Sequence, residues 1–317
     1  MDKKSDKQHL AILAPAFNEA TNIELFVNTV SELRASLSAR YRVDAYLVDD
    51  GSSDDTWQHI VQQSTLHAWV HGISFSRNFG KESALTAGLE NITADAIIIT
   101  DVDGEHPIGV IPQFIEQWER GSLHVVGIRK KHSSASPSKM FTSWAYHRLL
   151  KSLSGGNYTP RATDFRLLDK RVVDQFIKMQ EHNRVTRQLI DWLGFTPTYV
   201  EYSSPPRWSG EPTYSTRKLI NLAVNGVVAN TMAPLKLAGL LGLVISFLCV
   251  LAGIVIIINE AVGDLLHLGI TSTGYLVLLI TFLAGVQLIS MGLLSIYMES
   301  IVSNSRNRPL YVIKDTV

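Results

Sequence analysis

Two long uncharged segments constrain this chain more than any other feature of its sequence. Residues 237–258 and 275–298 contain no Asp, Glu, Lys or Arg, and both are rich in Leu, Ile, Val and Gly. A helix of roughly 20 apolar residues crosses the ~30 Å hydrocarbon core of a bilayer. Buried helices of a water-soluble domain are the alternative, but uncharged runs of this length rarely occur there. The pattern therefore predicts a hairpin of two transmembrane helices within residues 235–300.

The charges beside these segments predict how the hairpin is oriented. The connecting residues 259–274 contain no Lys or Arg, whereas basic residues lie on both outer flanks, with Lys236 before the hairpin and Arg306 after it. The positive-inside rule places both flanks in the cytoplasm. We therefore expect a multi-pass protein of the cytoplasmic (inner) membrane. Both termini, the domain formed by residues 1–210 and the tail 301–317 would then be cytoplasmic.

A helix lying in the membrane surface is expected just before the hairpin, within residues 211–234. Lys218, Asn221 and Asn225 fall on one helical face, and apolar side chains fall largely on the other. This separation is typical of an interfacial amphipathic helix. An amphipathic helix packed on the soluble domain is the alternative. The membrane span that follows favours the interfacial position.

The first two thirds of the chain alternates between strand patterns and helix patterns. Short apolar runs are followed by segments with the periodicity of amphipathic helices. Such alternation predicts an α/β domain over residues 1–210, with a mainly parallel sheet and helices on both faces. The predicted strands are Leu10–Pro15, Ala45–Val48, Val70–Phe75, Ala96–Thr100 and His124–Ile128. The predicted helices are Asn22–Leu37, Ser53–Leu66, Lys81–Leu89 and Gly109–Arg120.

Composition and missing motifs exclude several classes of protein. Lys and Arg total 29 and Asp and Glu total 29, and this balance argues against general nucleic-acid binding, which needs a basic surface. Cys249 is the one cysteine of the sequence, so neither an intramolecular disulfide nor a cysteine-rich zinc site can form. No GxGxxG follows the first predicted strand and no GxxxxGK[ST] occurs. A dinucleotide oxidoreductase and a P-loop NTPase would therefore lack their usual phosphate-binding loops.

Acidic side chains follow two of the predicted strands. Asp49 and Asp50 come after the second strand, and Asp101, Asp103 and Glu105 come after the fourth. Ligands of parallel sheets bind beyond the carboxyl ends of the strands, so these side chains should face one crevice. An anionic nucleotide bound among carboxylates needs a divalent cation between them, and oxygen ligands suit Mg²⁺ or Mn²⁺. The sequence therefore predicts a nucleotide site in which these last three carboxylates are candidate metal ligands.

Four motifs together resemble those of a known family. They are Asp49–Thr56 (DDGSSDDT), Ser76–Glu82 (SRNFGKE), Asp101–Asp103 (DVD) and Thr163–Asp169 (TDFRLLD). In combination they resemble inverting GT-A glycosyltransferases that load polyprenyl phosphate, among them bactoprenol glucosyltransferases and dolichol-phosphate mannose synthases. The resemblance covers nearly the whole chain. It implies a GT-A Rossmann-like fold. It also implies that the protein transfers a sugar, by default glucose from UDP-glucose, to undecaprenyl phosphate at the cytoplasmic leaflet. Formation of a homo-oligomer is left open.

The same resemblance implies a role for each candidate residue. The residues implied in nucleotide-sugar binding are Pro15, Asn18, Glu19, Asp50, Arg77, Lys81, Asp101 and Asp103. The residues implied at the metal are Asp101, Asp103 and Glu105. The residues implied in catalysis are Asp103 and Asp164, the latter as candidate general base. The residues implied in binding phosphate groups of donor or acceptor are Arg129, Arg207 and Lys218. For Arg77 and Lys81, an ordinary surface cation is the alternative.

Two positions depart from the family pattern. Glu105 stands where the family commonly has Gln, so an extra negative charge lies beside the candidate metal ligands. Thr213 stands where Lys is usual, so one expected phosphate-binding cation is missing. Candidate replacements for that cation are Lys139, Arg161 and Lys218. His106 follows Glu105 and is interpreted as a polar loop residue rather than as a metal ligand.

Two other functions remain open at this point. A processive polysaccharide synthase shares the catalytic fold, but it usually carries a QxxRW motif and more membrane spans. Here Ser204 occupies the Gln position before Arg207 and Trp208. A non-catalytic membrane scaffold with a decayed nucleotide site would account for the departures at Glu105 and Thr213. Product size distinguishes the first alternative, and donor hydrolysis or transfer by the purified protein distinguishes the second.

Overall fold

A computed structural model describes the sheet domain and parts of the C-terminal region. The described residues are 7–130, 162–179, 181, 184–205, 208, 254, 258, 272–305 and 308–317. The strands are β1 (Gln8–Ala16), β2 (Tyr41–Asp49), β3 (Val70–Phe75), β4 (Ala96–Ile99), β5 (His124–Arg129), β6 (Ala162–Asp169), β7 (Thr198–Tyr202) and β8 (Ile313–Thr316). The helices are α1 (Ala20–Leu37), α2 (Thr56–Leu66), α3 (Lys81–Asn91), α4 (Ile111–Glu119), α5 (Lys170–Phe176), α6 (Thr186–Trp192) and α7 (Ser272–Ser305).

The described strands form one sheet in the order β7-β5-β6-β4-β1-β2-β3-β8. Strands β1 to β5 and β7 run in the same direction, whereas β6 lies antiparallel between β4 and β5, and β8 lies antiparallel beside β3. The predicted α/β class with a mainly parallel sheet is confirmed. The carboxyl ends of six strands therefore share one edge of the sheet with the beginning of β6.

Both faces of the sheet are covered by helices. Along β1, Leu10 and Ile12 belong to one apolar cluster, and Ala11 and Leu13 belong to another. Successive side chains of a strand point to opposite faces, so the two clusters lie on opposite sides of the sheet. Helices α1, α2 and α4 contribute to the first cluster, and α3, α5 and α6 contribute to the second. Burial on both faces explains why the parallel strands are almost continuously apolar.

The five predicted strands and four predicted helices are present with small shifts of their ends. Helix α2 begins at Thr56 rather than at Ser53, because the residues before it take part in a turn. The Ser53 amide donates to Asn18 Oδ1 at 2.9 Å, and Asp54 Oδ1 accepts from the Thr56 amide at 3.0 Å. These bonds hold Ser53 and Asp54 outside the helix. The sequence analysis did not assign β6, β7, β8, α5 and α6.

The C-terminal region is described only in part. Helix α7 contains the whole of the second predicted span, 275–298. Within the part of the chain that the structure describes, no helix meets the length and hydropathy of a membrane span, so the predicted hairpin is not confirmed. The first predicted span lies outside the described residues except at Ile254 and Ile258, and the interfacial segment 211–234 lies entirely outside them. The predicted domain boundaries stay predictions.

Candidate active site

The direction of the strands brings the candidate residues to one edge of the sheet. Asp50 follows β2, Asp101 follows β4, and Arg129 ends β5, so all three lie at carboxyl ends of parallel strands. Asp164 is near the beginning of β6, which runs the opposite way. An antiparallel strand begins where its neighbours end. This topology places Asp164 beside the acidic turn after β4, although more than 60 residues separate them in the sequence.

A loop formed by residues 76–81 closes around Asp50. The buried Asp50 carboxylate accepts hydrogen bonds from the Phe79 amide at 2.7 Å, the Gly80 amide at 2.9 Å and Asn78 Nδ2 at 3.0 Å. Burial raises the pKa of Asp50 above its ordinary value, although the two backbone donors oppose this effect. Asp50 therefore holds this loop by hydrogen bonds, and the loop lies at the edge of the sheet where β2 ends.

Gly51 allows the turn after β2 to approach the same loop. Its φ of +66° lies in the left-handed region that favours glycine. A Cβ atom at this position would lie 2.2 Å from the carbonyl carbon of Arg77. A side chain here would therefore push the 76–81 loop away from Asp50. The Arg77 guanidinium lies 4.1 Å from the centre of the Phe79 ring, so this cation packs on a side chain of its own loop.

The turns after β1 and β2 are joined by side-chain hydrogen bonds. The Asn18 amide donates to Ser52 Oγ at 2.9 Å, and the Glu19 amide donates to Thr56 Oγ1 at 2.8 Å. Asn18 has a positive φ of 55°, a conformation that Asn tolerates better than most residues. Pro15 is buried within β1 and lies opposite Val48 of β2. The Asp50 amide also donates to the Ala16 carbonyl at 2.9 Å, so Pro15, Asn18, Glu19 and Asp50 lie in one region; their roles in nucleotide binding stay predictions.

The acidic turn after β4 is held in place by backbone contacts. Strand β4 ends at Ile99, so Asp101 and Asp103 lie in the turn and not on one face of a strand. Asp103 Oδ1 accepts from the Glu105 amide at 3.0 Å, and the Asp103 carbonyl accepts from the Trp208 amide at 3.1 Å. Gly104 has a φ of +81°, and a Cβ there would lie 2.5 Å from the Trp208 ring. Glycine is needed for this close approach.

Lys81 joins the acidic turn to Asp164. Its Nζ lies 2.6 Å from Asp101 Oδ1 and 3.3 Å from Asp164 Oδ2. Burial alone would raise the pKa of Asp164, but the nearby cations of Lys81 and Arg187 outweigh burial and hold that pKa below its ordinary value. Burial likewise opposes the charge on Lys81, but the two carboxylates outweigh it and raise the Lys81 pKa. Lys81 and Asp164 are therefore both charged at neutral pH, and Lys81 also pairs with Asp101.

His106 lies underneath this cluster. It is buried, its Nδ1 accepts from the Asp101 amide at 3.1 Å, and its ring stacks on Phe165 with 5.0 Å between ring centres. Burial lowers the pKa of His106, so the ring is neutral at pH 7. Because Phe165 neighbours Asp164 in β6, the stacked pair sets the spacing between the acidic turn and that strand. His106 therefore packs beneath the site as a positioning side chain.

Glu105 is paired with the cation at the end of β5. Arg129 Nη2 donates to Glu105 Oε2 at 2.5 Å, and Ser204 Oγ donates to the Glu105 carbonyl at 2.8 Å. The extra negative charge introduced by Glu in place of the family's Gln is therefore matched by Arg129. In this arrangement Arg129 holds the acidic turn, and it also lies at the edge where the strands end.

The acidic turn has the chemistry of a divalent-cation site, although its carboxylates already have partners. Asp101, Asp103 and Glu105 supply the oxygen ligands that Mg²⁺ and Mn²⁺ prefer. Asp101 pairs with Lys81, and Glu105 pairs with Arg129. Among the described residues, no group of three or more His, Cys, Asp or Glu side chains is close enough to hold a metal. Metal binding by these three carboxylates therefore stays a prediction. It is supported by their oxygen ligands and by their position on one short turn.

Two predicted phosphate-binding residues cannot be placed. Arg207 and Lys218 lie outside the described residues, and their roles stay predictions.

Arg187 was missed by the sequence analysis. It is exposed in the first turn of α6, near enough to Asp164 to lower the pKa of that carboxyl. The start of α6 is fixed by Glu82, which accepts from the Thr186 amide at 2.7 Å. Nothing in a short polar segment such as Thr186–Trp192 signals proximity to Asp164, because only tertiary packing joins them.

Sequence comparison with known proteins finds a matching family and several relatives. Residues 11–177 match the family described as Glycosyl transferase family 2. The "Prophage bactoprenol glucosyl transferase homolog" of Escherichia coli (strain K12) is 34% identical over 307 residues, which cover 96% of this chain and 98% of that protein. The "Putative glycosyltransferase CsbB" of Bacillus subtilis (strain 168) is 32% identical over 308 residues, which cover 96% of this chain and 91% of that protein.

A solved structure supports the architecture. Mannosyl-3-phosphoglycerate synthase from Rubrobacter xylanophilus is 15% identical, has a TM-score of 0.51, and is matched over 70% of this chain and 73% of that one. At this level of identity the likeness bears on the fold alone. It supports the GT-A Rossmann-like architecture that the sequence motifs implied.

Proposed function

The chain belongs to glycosyl transferase family 2 and is a glycosyltransferase, and we propose that it transfers a hexose from a nucleotide sugar to polyprenyl phosphate. Glucose on UDP is the donor we favour, and undecaprenyl phosphate is the acceptor. Relatives named bactoprenol glucosyl transferase, similar over nearly their whole length, support this choice. The observation that carries the proposal is the cluster in which Lys81 contacts both Asp101 and Asp164. It supports the proposal because Asp101, which we assign to the donor, and Asp164, which we assign to the acceptor, share one lysine partner.

The donor nucleotide would lie between the turn after β1 and the 76–81 loop. Asp50 fixes that loop through the Phe79 and Gly80 amides, and Asn18 fixes the opposite turn through Ser52 and Ser53. Both segments are therefore preorganised, so little conformational freedom has to be lost when a nucleotide binds. This arrangement supports the proposed nucleotide-binding roles of Pro15, Asn18, Glu19 and Asp50.

The diphosphate of the donor would lie at the acidic turn. If Mg²⁺ or Mn²⁺ binds there, Asp101 and Asp103 are the residues that would hold it, with Glu105 as a third carboxylate. Such a cation offsets the negative charge that develops on the leaving diphosphate. Arg129 and Lys81 are the described cations in contact with this turn. They limit repulsion between the carboxylates and an anionic donor.

Asp164 would act at the acceptor. A phosphate monoester has its second pKa near about 6, so a lipid phosphate is largely dianionic at neutral pH and needs little deprotonation to react. The cations beside Asp164 keep its carboxylate charged, and the carboxylate can then orient the phosphate or accept a residual proton. Lys81 and Arg187 would offset the repulsion between Asp164 and the incoming phosphate.

The reaction would be a single displacement. An oxygen of the lipid phosphate forms a bond to the anomeric carbon on the face opposite the diphosphate. The bond between that carbon and the diphosphate oxygen breaks, the nucleoside diphosphate leaves, and the anomeric configuration is inverted. Inverting glycosidases use the same opposite-face geometry with water as the nucleophile.

Attachment to the cytoplasmic membrane would bring the soluble donor and the lipid acceptor together. In this proposal the interfacial segment 211–234 and the hairpin within 235–300 hold the edge of the sheet at the cytoplasmic leaflet. Because the protein and its lipid acceptor would then be confined to one surface, positioning would replace a search in three dimensions for the acceptor. Arg217 and Lys218 would add attraction to anionic lipid headgroups. The uncharged segments and the basic flanks of the sequence support this location.

A panel of donors tests the proposed reaction. The purified full chain would be incubated with undecaprenyl phosphate, Mg²⁺ or Mn²⁺, and radiolabelled UDP-glucose, UDP-galactose, UDP-N-acetylglucosamine or GDP-mannose. We expect label to enter the organic phase with UDP-glucose, as a product that carries one sugar. A polymeric product would instead identify a processive synthase, and absence of both transfer and donor hydrolysis with every donor would support a non-catalytic scaffold.

A further inference from the structure

Strand β8 binds the edge of the sheet immediately before the 76–81 loop. The Gly72 amide donates to the Val317 carbonyl at 2.8 Å, and the Val317 amide donates to the Gly72 carbonyl at 3.0 Å. At the other end of the pairing, the Ser76 amide donates to the Val312 carbonyl at 3.0 Å. Ser76 is the first residue of the loop. The tail segment, residues 308–317, therefore fixes the point at which this loop leaves β3.

Tyr311 of the tail segment contacts both sides of the loop. Its ring stacks on Phe75, the last residue of β3, with 5.1 Å between ring centres, and Phe75 meets Phe79 of the loop edge to face at 5.8 Å. The Tyr311 hydroxyl donates to Glu90 Oε2 at 2.6 Å. Glu90 belongs to α3, the helix that begins where the loop ends. Tyr311 thus links the strand before the loop to the helix after it.

The residues that Tyr311 supports are next to Asp50 and Lys81. Phe79, which packs edge-on against Phe75, donates its amide to Asp50 at 2.7 Å. Lys81, the first residue of α3, carries the ammonium group that pairs with Asp101 and Asp164. Gly80 between them has a φ of +99°, a conformation that glycine adopts without strain. The loop is held on one side by hydrogen bonds to Asp50 and on the other by the packing of Phe79 against Phe75, on which Tyr311 stacks.

We propose that the tail segment is a positioning element of the nucleotide site, in which β8 and Tyr311 hold the 76–81 loop where it can bind the donor. Through the contacts described above, the tail segment reaches the loop at Ser76 and does not reach Asp50 or the acidic turn. Its effect would be on donor binding, because the loop that it holds encloses Asp50. The identity of the ligand as a nucleotide rests on the proposed function, but the coupling of the tail to the loop rests on the contacts themselves.

Substitutions at Tyr311 test this coupling. Tyr311→Ala removes both the stacking and the hydroxyl contact, and we expect the KM for the nucleotide sugar to rise about three- to tenfold, the range expected for losing one aromatic pair. The kcat and the KM for polyprenyl phosphate should change less than about twofold. Tyr311→Phe keeps the ring and should restore most donor affinity. Lys314→Ala, at an exposed side chain that forms an ion pair with the adjacent Asp315, is the matched control and should leave the kinetics unchanged.

Removal of residues 309–317 tests the same idea without relying on one side chain. We expect the Kd of the truncated protein for UDP, measured by calorimetry, to be weakened at least tenfold. A synthetic peptide of sequence PLYVIKDTV, added in excess, should restore binding, and a scrambled peptide should not. Unchanged UDP affinity in both Tyr311→Ala and the truncated protein would overturn the positioning role. Failure of the unaltered chain to bind UDP or any other nucleotide would instead contradict the proposed function.

Discussion

Replacement of Asp103 by Asn is expected to lower kcat/KM for sugar transfer by roughly a thousandfold or more. The substitution removes one negative charge from the acidic turn, where, in the proposed reaction, a bound cation would offset charge on the leaving diphosphate. Folding should be retained, because an amide oxygen can still accept the hydrogen bond from the Glu105 amide. Initial rates of label transfer into lipid, with thermal melting of the same preparations, provide the measurement.

Asp95→Asn is the matched control for this prediction. Asp95 lies just before β4, at the opposite end of the strand from Asp103, and its carboxylate accepts from the His9 amide at 2.7 Å. Its replacement should leave transfer within about twofold of the original rate.

Excess EDTA should inactivate the original protein, and added Mn²⁺ or Mg²⁺ should restore it. Full turnover in excess EDTA would contradict the metal-dependent part of the account.

Replacement of Asp164 by Asn is expected to lower kcat about a hundredfold or more, within the range typical of a lost general base. Donor binding should persist, because Asp164 contacts Lys81 and takes no part in the hydrogen bonds around Asp50. The two quantities are measured separately, as single-turnover transfer and as the Kd for UDP. A loss confined to turnover assigns Asp164 to the acceptor side of the reaction.

Asp174→Asn is the control for the Asp164 variant, because it also removes a carboxylate that pairs with a lysine, at a position away from the candidate site. Asp174 pairs with Lys170 at 2.8 Å on the exposed surface of α5, and exposed pairs of this kind contribute little to stability. Its replacement should change neither turnover nor UDP binding. Unchanged turnover in the Asp164 variant would remove that residue from the catalytic machinery, and weakened UDP binding would move it to the donor site.

The common edge of the sheet could be predicted because it follows from strand direction alone. Runs such as Ala45–Val48 and Ala96–Thr100 are recognisable as buried strands, and the carboxyl ends of parallel strands must lie together. The sequence alone therefore predicts that Asp50, Asp101 and Asp103 lie in one region. Asp164 lies at the same edge only because β6 runs antiparallel to its neighbours, and the direction of a strand cannot be read from local sequence patterns. In the sequence analysis the assignment of Asp164 rested on the resemblance of the Thr163–Asp169 motif.

The partners of the charged side chains could not be predicted for a physical reason. Lys81 has a long flexible side chain, and only the folded structure shows that its Nζ meets both Asp101 and Asp164. Arg129 and Glu105 are likewise joined by the packing of β5 against the acidic turn. Strand β8 has the sequence Ile-Lys-Asp-Thr and is exposed throughout, so it lacks the apolar alternation by which an edge strand is recognised.

A comparison of two lipids shows whether the lipid phosphate is the group that accepts the sugar. The purified full chain would receive radiolabelled UDP-glucose, or whichever donor proves active, with either undecaprenyl phosphate or undecaprenol. The two lipids differ only in the phosphate that is proposed to attack the sugar. We expect transfer of label into lipid with undecaprenyl phosphate and only background transfer with undecaprenol. Equal labelling of the two lipids, or no labelling of the lipid phosphate with any nucleotide sugar, would contradict this expectation.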